Sequence, residues 1–145
     1  MYNIKEIQYF LAECSNIISI NPLENWNTIN VKNSCNMFKN CKSINSIDAL
    51  ANWNMSNNEY MQYMFYGCSR LKSINALKNW NINKVKFMQY MFSGCLIVDN
   101  SEILRKWKLD NVKNVEGMFQ NYEANKKLRN YFNQRCSFCK KFFDN

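Results

Sequence analysis

Cysteine is the residue type in this sequence that could most readily bind a metal or react, because the 145-residue chain has seven cysteines and no histidine. Cys136 and Cys139 form a CSFC motif with the spacing of half a zinc site. A second such pair is missing from the sequence, so four tetrahedral ligands cannot be assembled from paired motifs. We therefore expect no metal and no cofactor, and we interpret both thiols as apolar residues of a terminal helix.

Four further cysteines recur at one fixed interval, at Cys14, Cys41, Cys68 and Cys95. Free cysteine behaves as a small hydrophobic residue that is usually buried. One such position in each repeat is typical of packing inside a repeat protein, so we expect these thiols to be structural.

Catalytic groups are scarce in this sequence. Without histidine, the commonest general base and activator of nucleophiles is missing. The three glycines do not form a phosphate-binding loop, and the carboxylates do not form a pair. We therefore expect no catalytic residues and a protein that is not an enzyme.

The same 27-residue period extends to other residue types. Tryptophan, leucine and a Met-Phe pair keep the spacing of the cysteines, at Trp26, Trp53, Trp80 and Trp107, at Leu23, Leu50, Leu77 and Leu104, and at Met37-Phe38, Met64-Phe65, Met91-Phe92 and Met118-Phe119. Self-similarity at a fixed period indicates repeats that bury their apolar faces against each other.

The second half of each repeat has the pattern of a short helix. Ser56 and Glu59 have the spacing of a capping box, and Val85, Met88 and Phe92 fall on one helical stripe. A column of residues that tolerate the left-handed conformation predicts the end of each helix, at Asn40, Gly67, Gly94 and Asn121.

The first half places apolar residues at every third position, as in Cys68, Leu71, Ile74, Leu77 and Trp80. We interpret this as a brief strand over residues 71–74 followed by a loop, and stacked strands of this kind would form a narrow parallel sheet. The sequence thus predicts an α/β solenoid of about four 27-residue strand-loop-helix units, with helical caps at both ends. The predicted parts are an N-terminal capping helix over 1–14, the solenoid over 15–122 and a basic C-terminal capping helix over 123–145.

The phrase W-N-x-x-x-V-x-x-M-x-x-M-F-x-G-C-x-x-L-x-x-I resembles the repeat of BspA-type leucine-rich-repeat surface proteins and of mycoplasma surface lipoproteins. Its best match begins at Trp80 and includes Asn81, Val85, Met88, Met91, Phe92, Gly94 and Cys95. The resemblance covers roughly residues 15–122. It implies a leucine-rich-repeat-like solenoid used for adhesion or protein binding, and it brings no catalytic residues.

The net charge of +8 is unevenly distributed, with +2 over residues 1–104 and +6 over residues 105–145. The basic C-terminal side chains alternate with aromatic residues and include Lys126, Lys127, Arg129, Arg135, Lys140 and Lys141. One interpretation is a solvated outer face of the capping helix; the alternative is a peripheral protein that binds nucleic acid or an anionic membrane surface through that helix.

Our main hypothesis is a monomeric, non-enzymatic interaction or adhesion module that presents a rigid repeat surface to another protein. The polar residues between the apolar columns are the candidates for partner binding: Ser43, Asn45, Arg70, Lys72 and Asn75. A further possibility is a fragment of a longer surface repeat array. The charged residues Lys5, Glu6 and Glu13 interrupt the apolar run of a secretory signal, which favours a cytoplasmic location, although the resembling proteins are often at the cell surface.

Overall fold

The repeat seen in the sequence is also a repeat in space. A computed structural model describes residues 4–97, 102–120 and 126–136. Backbone amides donate to carbonyls of the next repeat, as from Ser34 to Tyr60 and from Met61 to Phe87, both at 2.9 Å. Each repeat makes one turn of the chain, called a coil below, and each coil therefore lies directly on the next one.

The regular elements are short, and they recur at the same position in successive coils. Three 3₁₀-helices span Asn21–Leu23, Asp48–Leu50 and Asn75–Asn79, and helix α1 spans Glu102–Arg105. Their first residues occupy equivalent positions in successive repeats. Helix α2, Lys126–Arg135, follows after the last coil.

The predicted strand-loop-helix architecture is wrong. The described residues contain no strand, and residues 71–74 bond to no neighbouring strand. The β pairing among them consists of isolated parallel bridges that link Glu6 to Asn33, Asn33 to Tyr60, Tyr60 to Phe87 and Phe87 to Asn114. The apolar residues at every third position line the inside of a bent coil and do not form a sheet.

The predicted helices in the second halves are also absent. In the coil of residues 60–67, Met64 and Tyr66 donate to carbonyls three residues earlier, while Tyr63 and Phe65 donate to the next coil. An α-helix needs every consecutive amide to bond to the carbonyl four residues earlier. Because every second amide is used between coils, a helix cannot form, although its periodicity and terminal residues are present.

The helix signals have other roles in this structure. The Glu59 carboxylate pairs with Lys86 in the next coil and does not form the predicted capping box with Ser56. The left-handed conformation does occur at Asn40, Gly67 and Gly94, with φ of 58°, 70° and 79°. Asn121, the last residue of that predicted column, lies outside the described residues.

The two ends of the stack differ. Residues 4–14, where the sequence predicts a capping helix, follow the path of the later coils and reach the next coil through the Glu6–Asn33 bridge. At the other end, α2 places Phe132 against Phe119 with ring centroids 5.4 Å apart. Phe132 and Cys136 are buried, whereas Cys139, the other thiol interpreted as an apolar residue of the terminal helix, lies outside the described residues.

The core runs along the inside of the coils as columns of identical residues. Neighbouring phenylalanine rings are stacked at centroid distances of 5.4 to 5.7 Å, from Phe38 through Phe65 and Phe92 to Phe119. Burial of such columns against each other stabilises the stack, since no coil has a core of its own. Among the described helices, none has the length and apolar content to cross a membrane.

Candidate functional site

The cysteine column is a structural feature of the stack. The buried thiols of Cys41, Cys68 and Cys95 each donate to a carbonyl of the preceding coil, at Leu11, Phe38 and Phe65, over 3.0 to 3.1 Å. Burial raises the pKa of Cys41 to about 12, and the pKa of Cys68 is raised by its contact with the Cys95 thiol and by burial. Such thiols stay protonated and are poor nucleophiles and metal ligands.

The CSFC motif is only partly described. Cys136 is buried and its Sγ lies 3.5 Å from the Val112 carbonyl, while Cys139 is outside the described residues. In the part of the chain that the structure describes, no three Cys, Asp or Glu side chains come close enough together to hold a metal ion.

The five predicted partner-binding residues are at the surface. Asn45, Arg70, Lys72 and Asn75 are exposed and Ser43 is half-buried. Ser43 and Arg70 occupy the same position in successive coils, as do Asn45 and Lys72. The stacking of the 3₁₀-helices Asp48–Leu50 and Asn75–Asn79 keeps these coils in register. We call these five residues the column surface, and the register places their positions side by side.

A polar groove, which the sequence reasoning missed, crosses five coils at another position of the repeat. It has a volume of about 550 Å³ and is lined by Gln8, Tyr9, Asn33, Cys35, Asn36, Gln62, Tyr63, Gln89, Tyr90 and Glu116. The available signal was the phrase MQYMF, which stands at residues 61–65 and again at 88–92. Its Gln and Tyr residues interrupt the apolar pattern in both copies.

Two adjacent columns supply most of the groove. One column holds Gln8, Cys35, Gln62, Gln89 and Glu116. Along it, the Cys35 thiol donates to Gln62 Oε1 over 2.9 Å, and burial raises the pKa of this thiol. Two amide oxygens, Gln8 Oε1 and Gln89 Oε1, are buried and lack a hydrogen-bond donor. Both oxygens are enclosed by the protein, so each is an unsatisfied buried acceptor, which is costly to the fold.

The second column contributes Tyr9, Asn36, Tyr63 and Tyr90 to the lining, and its position in the fifth coil is Gly117. Tyr63 and Tyr90 are stacked with centroids 5.1 Å apart, and the Tyr90 hydroxyl donates to Glu116 over 3.1 Å, which raises the pKa of Tyr90. Between Tyr9 and Tyr63 the column contains Asn36, a smaller residue that is 9% exposed.

The groove differs in charge from the chain as a whole. Its ten lining residues include one carboxylate, Glu116, and no lysine or arginine, although the chain carries a net charge of +8. This site therefore suits an uncharged or cationic ligand better than a phosphate or a nucleic acid.

A charged cluster lies elsewhere on the repeats. Lys86 pairs with Glu59 and Lys84 Nζ donates to Asn57 Oδ1 over 2.6 Å, each bond joining one coil to the next. The hydrogen bond to Lys86 lowers the pKa of Glu59 and raises that of Lys86. These side chains contact each other across the coils and stabilise the register.

The basic C-terminal residues are only partly described. Lys126, Lys127 and Arg135 are exposed and Arg129 is half-buried, while Lys140 and Lys141 lie outside the described residues. The Arg135 guanidinium is 5.3 Å from the ring centroid of Tyr131, and Arg105 contacts the same ring at 5.1 Å. Part of the basic charge in this region thus contributes to attaching α2 to the stack.

Comparison with known proteins places the repeats in a family. A family model described as Mycoplasma protein of unknown function, DUF285, matches residues 3–141. No curated protein and no solved structure matches the chain.

Proposed function

Since the chain belongs to the family Mycoplasma protein of unknown function, DUF285, we propose that it is a non-enzymatic interaction module that presents a rigid repeat surface to a protein partner. Its resemblance to BspA-type surface repeats agrees with a role in adhesion. The observation that supports the proposal best is the register of the coils. Backbone hydrogen bonds at every second residue join successive coils along one part of each repeat, as over residues 61–67, and they keep the coils aligned.

A rigid surface of this kind favours binding of a large partner. A backbone that is ordered before association loses little conformational entropy when the complex forms. Arg70 and Lys72 on the column surface are exposed and sit on a backbone that is hydrogen-bonded at neighbouring positions, as from Leu71 to Cys68. The uncharged residues of the column surface, Ser43, Asn45 and Asn75, offer hydrogen-bonding groups beside these two cations.

Site-specific photo-crosslinking of the full chain tests this function. A photoreactive residue is placed at Lys72 on the column surface, at Lys78 as a nearby exposed control, or at Lys140 in the basic tail. The proposal expects a discrete protein adduct from position 72 and a weaker or absent adduct from position 78. Adducts from position 140 alone, with nucleic acid or lipid as the captured species, would contradict it and support the peripheral-binding alternative.

A further inference from the structure

The two ends of the stack are covered to different degrees. At the last coil, helix α2 places the buried ring of Phe132 against Phe119. At the first coil, residues 4–30, Phe10 is 55% exposed, whereas Met37 and Met64 at the equivalent positions of later coils are fully buried. We call the outer side of the first coil the open end, and its incompletely buried core positions are Ile4, Phe10, Leu11, Cys14, Ile17 and Trp26.

The open end is separate from the column surface on which the proposed function rests. We propose that it binds one coil of the same 27-residue repeat, supplied by another protein, which then continues the stack. The backbone acceptors, two side-chain donors and the apolar surface of the open end support this proposal.

The backbone of the open end offers a row of hydrogen-bond acceptors. Over residues 7–13 and their equivalents, amides of one coil donate to carbonyls of the next, as from Ile7 to Asn33 at 2.9 Å. The equivalent acceptors in the first coil belong to residues that receive no hydrogen bond on these carbonyls within the described structure: Glu6, Gln8, Phe10 and Ala12. A coil stacked on the open end would supply their donors.

Two side chains of the first coil lack the acceptor that their equivalents have. The Trp53 indole donates to the Leu23 carbonyl of the preceding coil over 3.0 Å, and the cysteine column bonds to the preceding coil in the same way. Trp26 and Cys14 hold these positions in the first coil, and no coil precedes theirs among the described residues. An added coil would provide a carbonyl for each of them.

The backbone conformation favours a coil of this repeat over an extended peptide. Tyr9 and Glu13 are left-handed, with φ of 61° and 66°, and Phe10 donates to the carbonyl of Ile7 three residues earlier. The acceptor row therefore does not have the regular spacing of an extended strand. A coil with the same turns has its amides in register, as the hydrogen bonds between the described coils show.

A second copy of this chain does not supply such a coil in the fold described. Its donor positions in the last coil are the amides of Val115, Gly117 and Phe119. The ring of Phe132 already lies 5.4 Å from Phe119, at the distance that separates successive rings of the column, so α2 takes the place of a further coil.

Two first coils placed face to face would not fit either. Their acceptor rows would set carbonyl against carbonyl, and a buried acceptor without a donor is costly. The occupant is therefore the uncovered last coil of another protein that carries this repeat, bound through a heterologous contact.

A synthetic peptide of residues 53–80 represents one coil and is the probe. In the intact protein its amides at Met61, Tyr63 and Phe65 donate to the next coil. The ¹⁵N-labelled full chain is titrated with this peptide under reducing conditions. The amide of Phe10 and the indole of Trp26 should shift, because both lie at the open end.

Methylated peptides test the hydrogen bonds directly. A methyl group on the Phe65 amide removes one donor and fills the space at the edge, so it should weaken binding by about tenfold or more, about 1.4 kcal/mol. Methylation of the Gln62 amide is the matched control, because this amide makes no hydrogen bond within the described structure. That peptide should bind like the unmodified one.

Two variants of the full chain test the surface. Phe10→Lys places a charge on the open end and should weaken peptide binding by about tenfold or more. Ile29→Lys is the matched control, because Ile29 is 42% exposed in the same coil. It holds the position of the exposed Asn83, on the outer side of the coils, so this variant should bind like the wild type.

Two results would overturn the proposal: no shift at the open end, or equal affinity for the peptides with and without the methyl group on Phe65. Sedimentation should show the wild type alone as a monomer. A dimer that Phe10→Lys abolishes and Ile29→Lys does not would also overturn it, in favour of a second copy. Should Phe10→Lys fail to fold, the methylated peptides still decide the outcome.

Discussion

The indole Nε1 of Trp80 donates a hydrogen bond over 2.9 Å to the carbonyl of Leu50 in the preceding coil. Trp53 makes the equivalent bond to Leu23 over 3.0 Å. Each of these tryptophans thus belongs to the core of its own coil and also binds the backbone of the coil before it. Trp107 is buried too, but within the described residues its Nε1 has no partner.

Trp80→Ala should destabilise the protein by ~3–5 kcal/mol, the usual range for emptying a large buried aromatic site. The side chain is 4% exposed, so both its apolar contacts and its hydrogen bond are lost. Thermal and denaturant unfolding measure the change. Trp80→Phe, which keeps much of the ring packing, should cost clearly less. A melting temperature for Trp80→Ala close to that of wild type would show that the tryptophan column does not stabilise the core.

The thiols of Cys41 and Cys68 should react slowly with iodoacetamide in the folded protein. Both are buried and both have raised pKa values, so the reactive thiolate is rare at neutral pH. Cys14, which is only partly buried, should react faster. Peptide mapping by mass spectrometry follows each site. Equal rates for Cys14 and Cys68 would contradict the packing described for the cysteine column.

Arg70→Ser combined with Lys72→Ser should weaken binding of the protein partner and leave the fold nearly intact. Both side chains are exposed, and exposed substitutions usually change stability by no more than about 0.5 kcal/mol. Replacing Lys140 and Lys141 by Ser should matter less, and affinity should depend weakly on salt. A steep salt dependence that disappears in the tail variant would instead favour nucleic acid or an anionic membrane.

The Glu59–Lys86 ion pair should make stability depend on pH in the acidic range. The pKa of Glu59 is lowered in the folded protein, so the pair contributes above the pKa that Glu59 has in the unfolded chain. This contribution is lost as the pH falls through the lowered, folded-state pKa. An NMR titration of the Glu59 carboxyl should show a midpoint below the ordinary 4.5 in wild type. The midpoint should return toward that value in Lys86→Met; an unchanged midpoint in this variant would contradict the pairing.

Gly94→Ala should destabilise the protein by about 1–2 kcal/mol, because a β-carbon is disfavoured in the left-handed conformation. Gly94 has φ of 79°, and an added Cβ would lie 3.2 Å from the Cα of Gly67. Gly94→Asn should cost less, since Asn40 takes the same conformation at the equivalent position of an earlier coil. Chemical denaturation of the two variants provides the comparison. A Gly94→Asn variant as unstable as Gly94→Ala would show that space, and not φ, limits this site.

Several features of the fold follow from the sequence by itself. The regular spacing of Trp53 and Trp80 determines which residues are equivalent, because a column of identical large apolar residues can be buried only if successive coils align. The sequence also predicts positive φ at Gly67 and Gly94, since glycine has no β-carbon that would make this conformation unfavourable. These properties depend on side-chain type and spacing, which the sequence states directly.

The course of the backbone and the groove depended on tertiary structure. Tyr63 and Phe65 could have bonded within a helix, and only the neighbouring coil, whose carbonyls lie 2.9 to 3.0 Å away from amides such as Met61 and Tyr63, takes these donors. The groove likewise forms where equivalent side chains of successive coils, such as Gln62 and Gln89, lie next to each other. A sequence pattern describes each coil separately, whereas the hydrogen bonds between coils and the groove exist only once the coils are stacked.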